Sequence, residues 1–260
     1  MAVALRRPAA LLALLLVALF SSGAADRCHA LEALPFQVGE KITYQLKWGV
    51  IPAGRVVLEV LPLTSINGLP ARHFRMTIRS NGFIDTVYKV RSSFDGFTDL
   101  RLNHSLRYRK KQREGSSRRH IVVHFDPEQQ TSQYHNQKKR PRAPLAVPPG
   151  CFDPFSVIYF CRLFDPAAYE FLERPVSDGK KWKMGRVTNR GRETLLIDDK
   201  EYDTFLLEPD IKDLSGVFKK SRDANLFIWM SADRRRIPVK VQSKVIVGSF
   251  TAEMIRYEAP

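Results

Sequence analysis

The fold is decided by residues 41–60, KITYQLKWGVIPAGRVVLEV. Apolar and polar side chains alternate along 42–48, which is the period of a strand with one buried face. Pro52-Ala53-Gly54 interrupts the pattern, and a second alternation follows over 55–60. These stretches predict two neighbouring strands that present one apolar face to a core.

The same alternation recurs through most of the chain. Asn67-Gly68, a pair that tolerates positive φ, predicts a hairpin into a third strand over 74–78. Asn81-Gly82 predicts a turn into extended stretches over 84–90 and 92–97. Further strands are predicted over 120–125, 182–187, 192–197, 204–207, 226–230, 239–247 and 250–254. Short strands joined by turns predict an all-β protein, a single antiparallel barrel or a strongly curved half-barrel.

One helix is expected, over residues 153–164. Asp153 suits the N-cap, where its carboxylate accepts free backbone N–H groups, and Pro154 suits the first helical position. Asp165-Pro166 ends the apolar run. A short helix that is apolar on all sides must be buried, so we expect it to cap one end of the sheet.

The N-terminal residues have the pattern of a secretory signal peptide. Arg6 and Arg7 precede an apolar run of 12 residues over 9–20, and small residues follow. A helix that crosses a bilayer needs about 20 residues, so a permanent anchor is the weaker interpretation. We expect cleavage after Ala25, or after Ala24, and export of residues 26–260 to the periplasm as a single β-rich domain.

The chain is strongly basic, with a net charge of +15. Residues 107–142 hold 11 lysines and arginines against three acids, and prolines follow, so we predict a basic, proline-rich insertion at about 107–149. The candidate anion-binding residues are Lys110, Lys111, Arg113, Arg118, Arg119, Lys138, Lys139 and Arg140. The alternative is a solvated hairpin whose charges keep the protein soluble. For an exported protein the expected partners are anionic lipid, lipopolysaccharide or acidic glycan, and not nucleic acid.

The three cysteines allow at most one internal disulfide and leave one thiol over. A bridge between Cys151 and Cys161 requires a sharp reversal of the chain, because the predicted helix separates them. Cys28 is the third cysteine. The pairing among the three stays open at this point.

The sequence assigns no catalytic residue, metal site or cofactor. His120 and His124 lie on a predicted strand about 13 Å apart, which is too far for one metal ion. Asp198-Asp199 and Glu201 form a possible carboxylate pair, but they lie in a polar hairpin tip, where acids are common for turn formation.

Four motifs together resemble the bacterial family known as domain of unknown function 3108, over about residues 35–257. They are Pro35-Phe36-x-Val38-Gly39-Glu40-Lys41-x-Thr43-Tyr44, Trp48-Gly49-Val50-Ile51-Pro52-Ala53-Gly54, Asp153-Pro154-Phe155-Ser156, and Ile228-Trp229-x-Ser231-x-Asp233-x-Arg235-Arg236-Ile237-Pro238-Val239. The resemblance implies an exported envelope protein of a Gram-negative bacterium with a β-rich fold. It implies no catalytic residue, because the family has no established activity.

These observations favour a non-enzymatic periplasmic protein that binds an amphipathic or anionic component of the cell envelope, such as lipid or lipopolysaccharide. Two alternatives stay open. One is a hydrolase that acts on envelope glycans, and the other is a scaffold that docks onto another envelope protein.

Overall fold

The structure is a computed structural model of the chain and describes residues 34–137, 140, 142–210, 225–245 and 248–260. Residues Pro35–Pro260 form one compact unit. The described residues form fourteen strands and two short helices. None of the helices in these ranges is long and apolar enough to cross a membrane.

The strands form one antiparallel sheet, which confirms the predicted all-β class. They are β1 (Lys41–Trp48), β2 (Ile51–Ile66), β3 (Leu69–Ser80), β4 (Arg91–Thr98), β5 (Ser105–Glu114), β6 (Ser117–Asp126), β7 (Thr131–Asn136), β8 (Leu145–Ala146), β9 (Phe171–Ser177), β10 (Trp182–Ile197), β11 (Lys200–Pro209), β12 (Asn225–Ser231), β13 (Pro238–Val245) and β14 (Gly248–Glu258). The helices are α1 (Gly82–Tyr88) and α2 (Ser156–Cys161). The strand order is β8-β7-β6-β5-β4-β3-β2-β1-β14-β13-β12-β11-β10-β9, so the first and last strands pair in the middle.

The sheet is curved but not closed by a strand ladder, since β8 and β9 do not pair within the described ranges. A short segment before α2 connects its two halves instead. Phe152 donates its N–H to the Pro175 carbonyl in β9 (2.9 Å) and accepts the N–H of Ser177 (2.8 Å). The Cys151 carbonyl accepts the N–H of Ser105 in β5 (3.0 Å). Backbone bonds therefore cross from one half of the sheet to the other.

The expectation of an extended stretch over 84–90 is wrong, because most of these residues belong to helix α1. Asn81 caps this helix, and its side-chain oxygen accepts the N–H of Ile84 (2.9 Å). The Ser80 hydroxyl bonds Asp85 and accepts the N–H of Val90 (2.8 Å). These local bonds give the backbone a helical alternative that outweighs the β-branched composition.

Helix α2 is shorter than predicted and begins at Ser156. The buried Asp153 carboxylate accepts the N–H groups of Phe155 (2.8 Å) and Ser156 (2.9 Å) through one oxygen. Its other oxygen accepts the Ser105 hydroxyl (2.6 Å). Burial raises the pKa of Asp153, although these hydrogen bonds oppose the shift. Asp153 thus forms the turn before the helix and joins it to the start of β5.

Helix α2 packs against the inner face of β4 at Gly96. A Cβ atom at Gly96 would overlap the Oγ of Ser156, so only glycine allows this approach. Tyr159 of α2 stacks on Phe74 of β3, with 3.9 Å between ring centroids, and meets Phe36 edge to face. These contacts place the helix inside the curved sheet.

The close approach at Gly96 predicts the effect of a single methyl group. We expect Gly96→Ala to lower the free energy of unfolding by about 1–3 kcal/mol, the usual cost of overpacking. Urea denaturation measures this loss. Gly82→Ala is the control, since a Cβ there meets no atom within 4 Å. Equal stability of the two variants would contradict the predicted contact.

A buried ion pair fixes the end of α2. Arg162 and Glu40 are 1% and 2% exposed, and the guanidinium donates to both carboxylate oxygens, at 2.5 and 2.9 Å. It also donates to the carbonyls of Arg235 (2.8 Å) and Pro35 (3.0 Å). We call this end of the sheet, where β1 begins and β14 ends, the closed end. The end where β1 finishes at Trp48 is the open end.

Breaking this pair leaves an uncompensated buried charge. We expect Glu40→Gln and Arg162→Met each to cost about 3–5 kcal/mol of unfolding free energy. Because the residues share one interaction, the double variant should lose clearly less than the sum of the two single losses. Urea denaturation of the wild-type protein, the two single variants and the double variant measures these losses. Strict additivity of the two single losses would show that Glu40 and Arg162 are not coupled.

Candidate functional site

The inner face of the sheet encloses a cavity of about 740 Å³. This volume lies in the range of small-molecule binding sites, about 300–1,000 Å³. Val157, Ile158 and Cys161 of α2 line one part of the wall. Inward side chains of the sheet include Val56, Leu58, Met76, Ile78, Ile228 and Val241. The interior is therefore apolar.

The cavity reaches the open end of the sheet. Trp182, Asp210 and Leu226 all line it, and they lie at the start of β10, the end of β11 and the start of β12. In an antiparallel sheet these positions share the end at which β1 finishes. The opposite, closed end holds the buried pair of Arg162 and Glu40.

Charged side chains border the cavity near its opening, and basic ones are in excess. They are Arg174, Lys181, Lys183 and Arg186 against Asp178 and Asp210. In the strand register, Lys183 lies opposite Val176, and Val187 lies opposite Leu172. Arg174 lies between Leu172 and Val176 in β9, two residues from each, so it faces the same way as both. Arg174 and Lys183 therefore share the inward face with these apolar residues. The Arg174 guanidinium lies 4.4 Å from the Phe160 ring centroid. The cavity thus combines apolar walls with a positively charged border.

The basic segment is part of the sheet, which corrects the expectation of an insertion at about 107–149. It forms β5, β6, β7 and β8. Buried apolar side chains such as Tyr108 and Val123 alternate with the charged ones along these strands. This alternation supplies an apolar face that packs inward, whereas the count of charges alone suggested a separate segment.

The predicted anion-binding residues do not form a single patch. Lys110 lies opposite the buried Ile121, so it lies on the inner face. Gln112 is two residues further along β5 and faces the same way, and Arg119 lies opposite Gln112, so Arg119 also lies on the inner face. Lys111, Arg113 and Arg118 occupy the outer face, where Arg113 stands opposite Arg118. Arg140 lies in the connection after β7, and Lys138 and Lys139 lie outside the described residues.

Lys110 is packed against the inner face of the sheet. Its ammonium lies 5.3 Å from the Phe94 ring centroid. Burial lowers the pKa of Lys110, and the neighbouring charges of Arg119 and Lys180 contribute in the same direction. Lys180 lies in the turn that also supplies Asp178 and Lys181 to the cavity border. Part of the predicted basic cluster therefore lies close to the cavity opening.

The outer face holds a charge network that the sequence did not indicate. Asp95 of β4 is buried and bonds His73 (2.8 Å), Arg75 (2.8 Å) and Arg109 (3.2 Å). Burial alone would raise the pKa of Asp95, but these three hydrogen bonds outweigh it and hold the pKa well below its usual range. Two arginines of this basic face thus share one buried carboxylate within the protein.

The lowered pKa of Asp95 predicts a dependence of stability on pH. The carboxylate stabilises the fold fully above the pKa of an unfolded aspartate, about 3.9, and this contribution is lost as the pH falls toward the folded pKa. The difference in unfolding free energy between the protein and Asp95→Asn should therefore be largest at pH 7 and shrink below about pH 4. Urea denaturation at several pH values tests this, and a constant difference would contradict it.

The cysteines carry free thiols where the structure describes them. Cys151 and Cys161 are not bridged, and burial raises the pKa of each thiol to about 12. Such thiols are inert as nucleophiles at neutral pH. Cys28 and the expected cleavage site at Ala25 lie outside the described residues.

The remaining sequence candidates occupy structural positions. His120 and His124 lie on β6, and no three metal-binding side chains cluster anywhere in the described ranges. Asp198 and Asp199 form the turn between β10 and β11 with positive φ values of 47° and 60°. Both therefore serve the hairpin, and this turn lies at the closed end, away from the cavity opening.

An antiparallel sheet that curls around an apolar cavity defines a barrel-like all-β protein. Within this class the chain belongs to the family described as "Protein of unknown function (DUF3108)", whose model matches residues 43–255. The resemblance drawn from the sequence motifs is thereby confirmed.

A solved structure shares the fold. It is the crystal structure of a beta-barrel-like protein of domain of unknown function DUF1849 from Brucella abortus, with a TM-score of 0.54 and 12% sequence identity. The match covers 86% of this chain and 99% of that one. At this identity the likeness shows the fold alone. Comparison with curated proteins finds no match.

Proposed function

We propose that this chain is an exported, non-enzymatic protein that binds an amphipathic, anionic component of the cell envelope, such as a lipid. The ligand's apolar part occupies the cavity, and its anionic group lies at the basic border. The observation that carries this proposal is the apolar cavity of about 740 Å³ with Arg174 and Lys183 on its inward face. The signal pattern of residues 1–25 supports the periplasm as the location.

The energetics of the cavity favour an amphipathic ligand over a polar one. Each methylene group transferred from water into an apolar site contributes roughly 0.8 kcal/mol. A polar group buried there without a hydrogen-bond partner costs roughly 1–3 kcal/mol. A glycan would therefore bind poorly against these walls, whereas an acyl chain would bind well. For this reason we prefer a lipid ligand to the glycan substrate of a hydrolase.

A fluorescent fatty acid that carries an anthroyloxy group tests the cavity directly. We expect it to bind the wild-type protein, and we expect Ile78→Glu to weaken this binding at least tenfold, which corresponds to about 1.4 kcal/mol. Thr77→Glu is the matched control, because it changes the next residue of β3 on the outer face. It should leave the dissociation constant within about twofold of the wild-type value.

Variants at the border test the role of charge. Arg174→Gln with Lys183→Gln should weaken binding of the anionic fatty acid but not of the corresponding neutral alcohol. Thermal melts must show that every variant remains folded. Failure of the wild-type protein to bind the probe, or equal weakening by Ile78→Glu and Thr77→Glu, would overturn the proposal.

A further inference from the structure

The open end of the sheet exposes an apolar surface that no other part of the described chain covers. Val50, Val87 and Phe83 are 90%, 85% and 67% exposed. Trp48, Ile51 and Tyr88 lie beside them and are also exposed. We call these six residues the tip surface. A contiguous patch of exposed apolar residues often marks a binding surface, whereas single exposed apolar residues are common on any protein.

Specific bonds hold the tip surface together. Asn81 donates its side-chain N–H to the Pro52 carbonyl (2.6 Å), which joins the start of α1 to the turn between β1 and β2. Gly115 donates its N–H to the Lys89 carbonyl (2.9 Å), which joins the end of α1 to the turn between β5 and β6. The Tyr88 ring lies directly over Gly115. Helix α1 therefore lies across the open end between two turns.

The two most exposed apolar side chains of α1, Phe83 and Val87, are not needed to hold the helix in place. None of its residues is buried, and its position depends on polar bonds. Asn81 caps it, and Asp85 bonds both Ser80 and the guanidinium of Arg91. Phe83 and Val87 contribute no core packing, so their side chains are available to contact a binding partner.

Basic residues border the tip surface on the side of the β5–β6 hairpin, which also holds Glu114. Lys89 follows α1, and Arg113, Arg118 and Arg119 lie in the hairpin that contacts Tyr88. None of these four side chains forms an ion pair with another described residue, while the nearby Asp85 is neutralised by Arg91 (2.5 Å). This side of the open end thus carries a net positive charge beside an apolar and aromatic centre.

We propose that the open end docks onto an anionic lipid bilayer. Trp48, Phe83 and Val87 enter the interface between headgroups and acyl chains, where aromatic and aliphatic side chains are favoured. The arginines of the β5–β6 hairpin contact lipid phosphates, since basic residues near an anionic membrane surface are attracted to it. The cavity reaches the same end, so docking places its opening at the membrane. This proposal holds whether or not the cavity takes a lipid.

Co-sedimentation with vesicles of phosphatidylglycerol and phosphatidylethanolamine tests this docking, with the chain purified from cells that export it. We expect the triple variant Val50→Asp, Phe83→Asp and Val87→Asp to bind at least tenfold more weakly than the wild-type protein. The matched control is Leu63→Asp with Leu69→Asp, two exposed residues of the β2–β3 hairpin at the closed end. The control should bind as the wild-type protein does.

The contribution of charge has its own measurement. Arg113→Glu with Arg118→Glu should weaken binding and reduce its dependence on salt, since exposed charges are screened within about 8 Å at physiological ionic strength. Vesicles of neutral phosphatidylcholine should bind the wild-type protein at least tenfold more weakly. Circular dichroism must show unchanged folding of each variant.

Several outcomes would overturn docking. They are the absence of binding to anionic vesicles, equal loss in the tip and control variants, and capture of a protein partner by the open end without affinity for vesicles. The two proposals also separate experimentally. Ile78→Glu should bind vesicles normally while losing the fatty acid, and the tip variant should bind the fatty acid normally.

Discussion

The buried bond between Arg162 and Glu40 is the constraint on which the rest of the structure depends. Helix α2 has six residues, which is too short to be stable alone in water. Its position therefore comes from tertiary bonds, with Asp153 fixing its start and Arg162 fixing its end. Because Val157, Ile158 and Cys161 of α2 line the cavity, Asp153 and Arg162 together fix the position of this part of its wall. Polar bonds at the two ends of α2 thus position an apolar part of the cavity wall.

The sequence predicted elements whose information is local. The alternation over 42–48 predicts β1, and the turn at Asn67-Gly68 predicts the hairpin of β2 and β3. Helix α1 was missed because the pattern over 84–90 is rich in β-branched residues, while local side-chain bonds of Asn81 and Ser80 favour the helical backbone. The pairing of Glu40 with Arg162 was out of reach, since 122 residues separate them.

The candidate site shows the same limit. Lys110 and Lys111 are adjacent in sequence, but a strand directs neighbouring side chains to opposite faces, so one joins the interior and the other faces outward. Charge composition could indicate a basic protein but not where its charges meet. The cavity wall draws on β1–β3, β9–β14 and α2, and no window of sequence contains those residues together.

The pairing of β1 with β14 has a consequence for synthesis. Lys41 stands opposite Glu258, so the first strand gains its second neighbour only when almost the whole chain has been translated. Until then one edge of β1 has no partner, and a sheet with such long-range pairing forms slowly. The sheet can therefore be completed only after β14 has been synthesised.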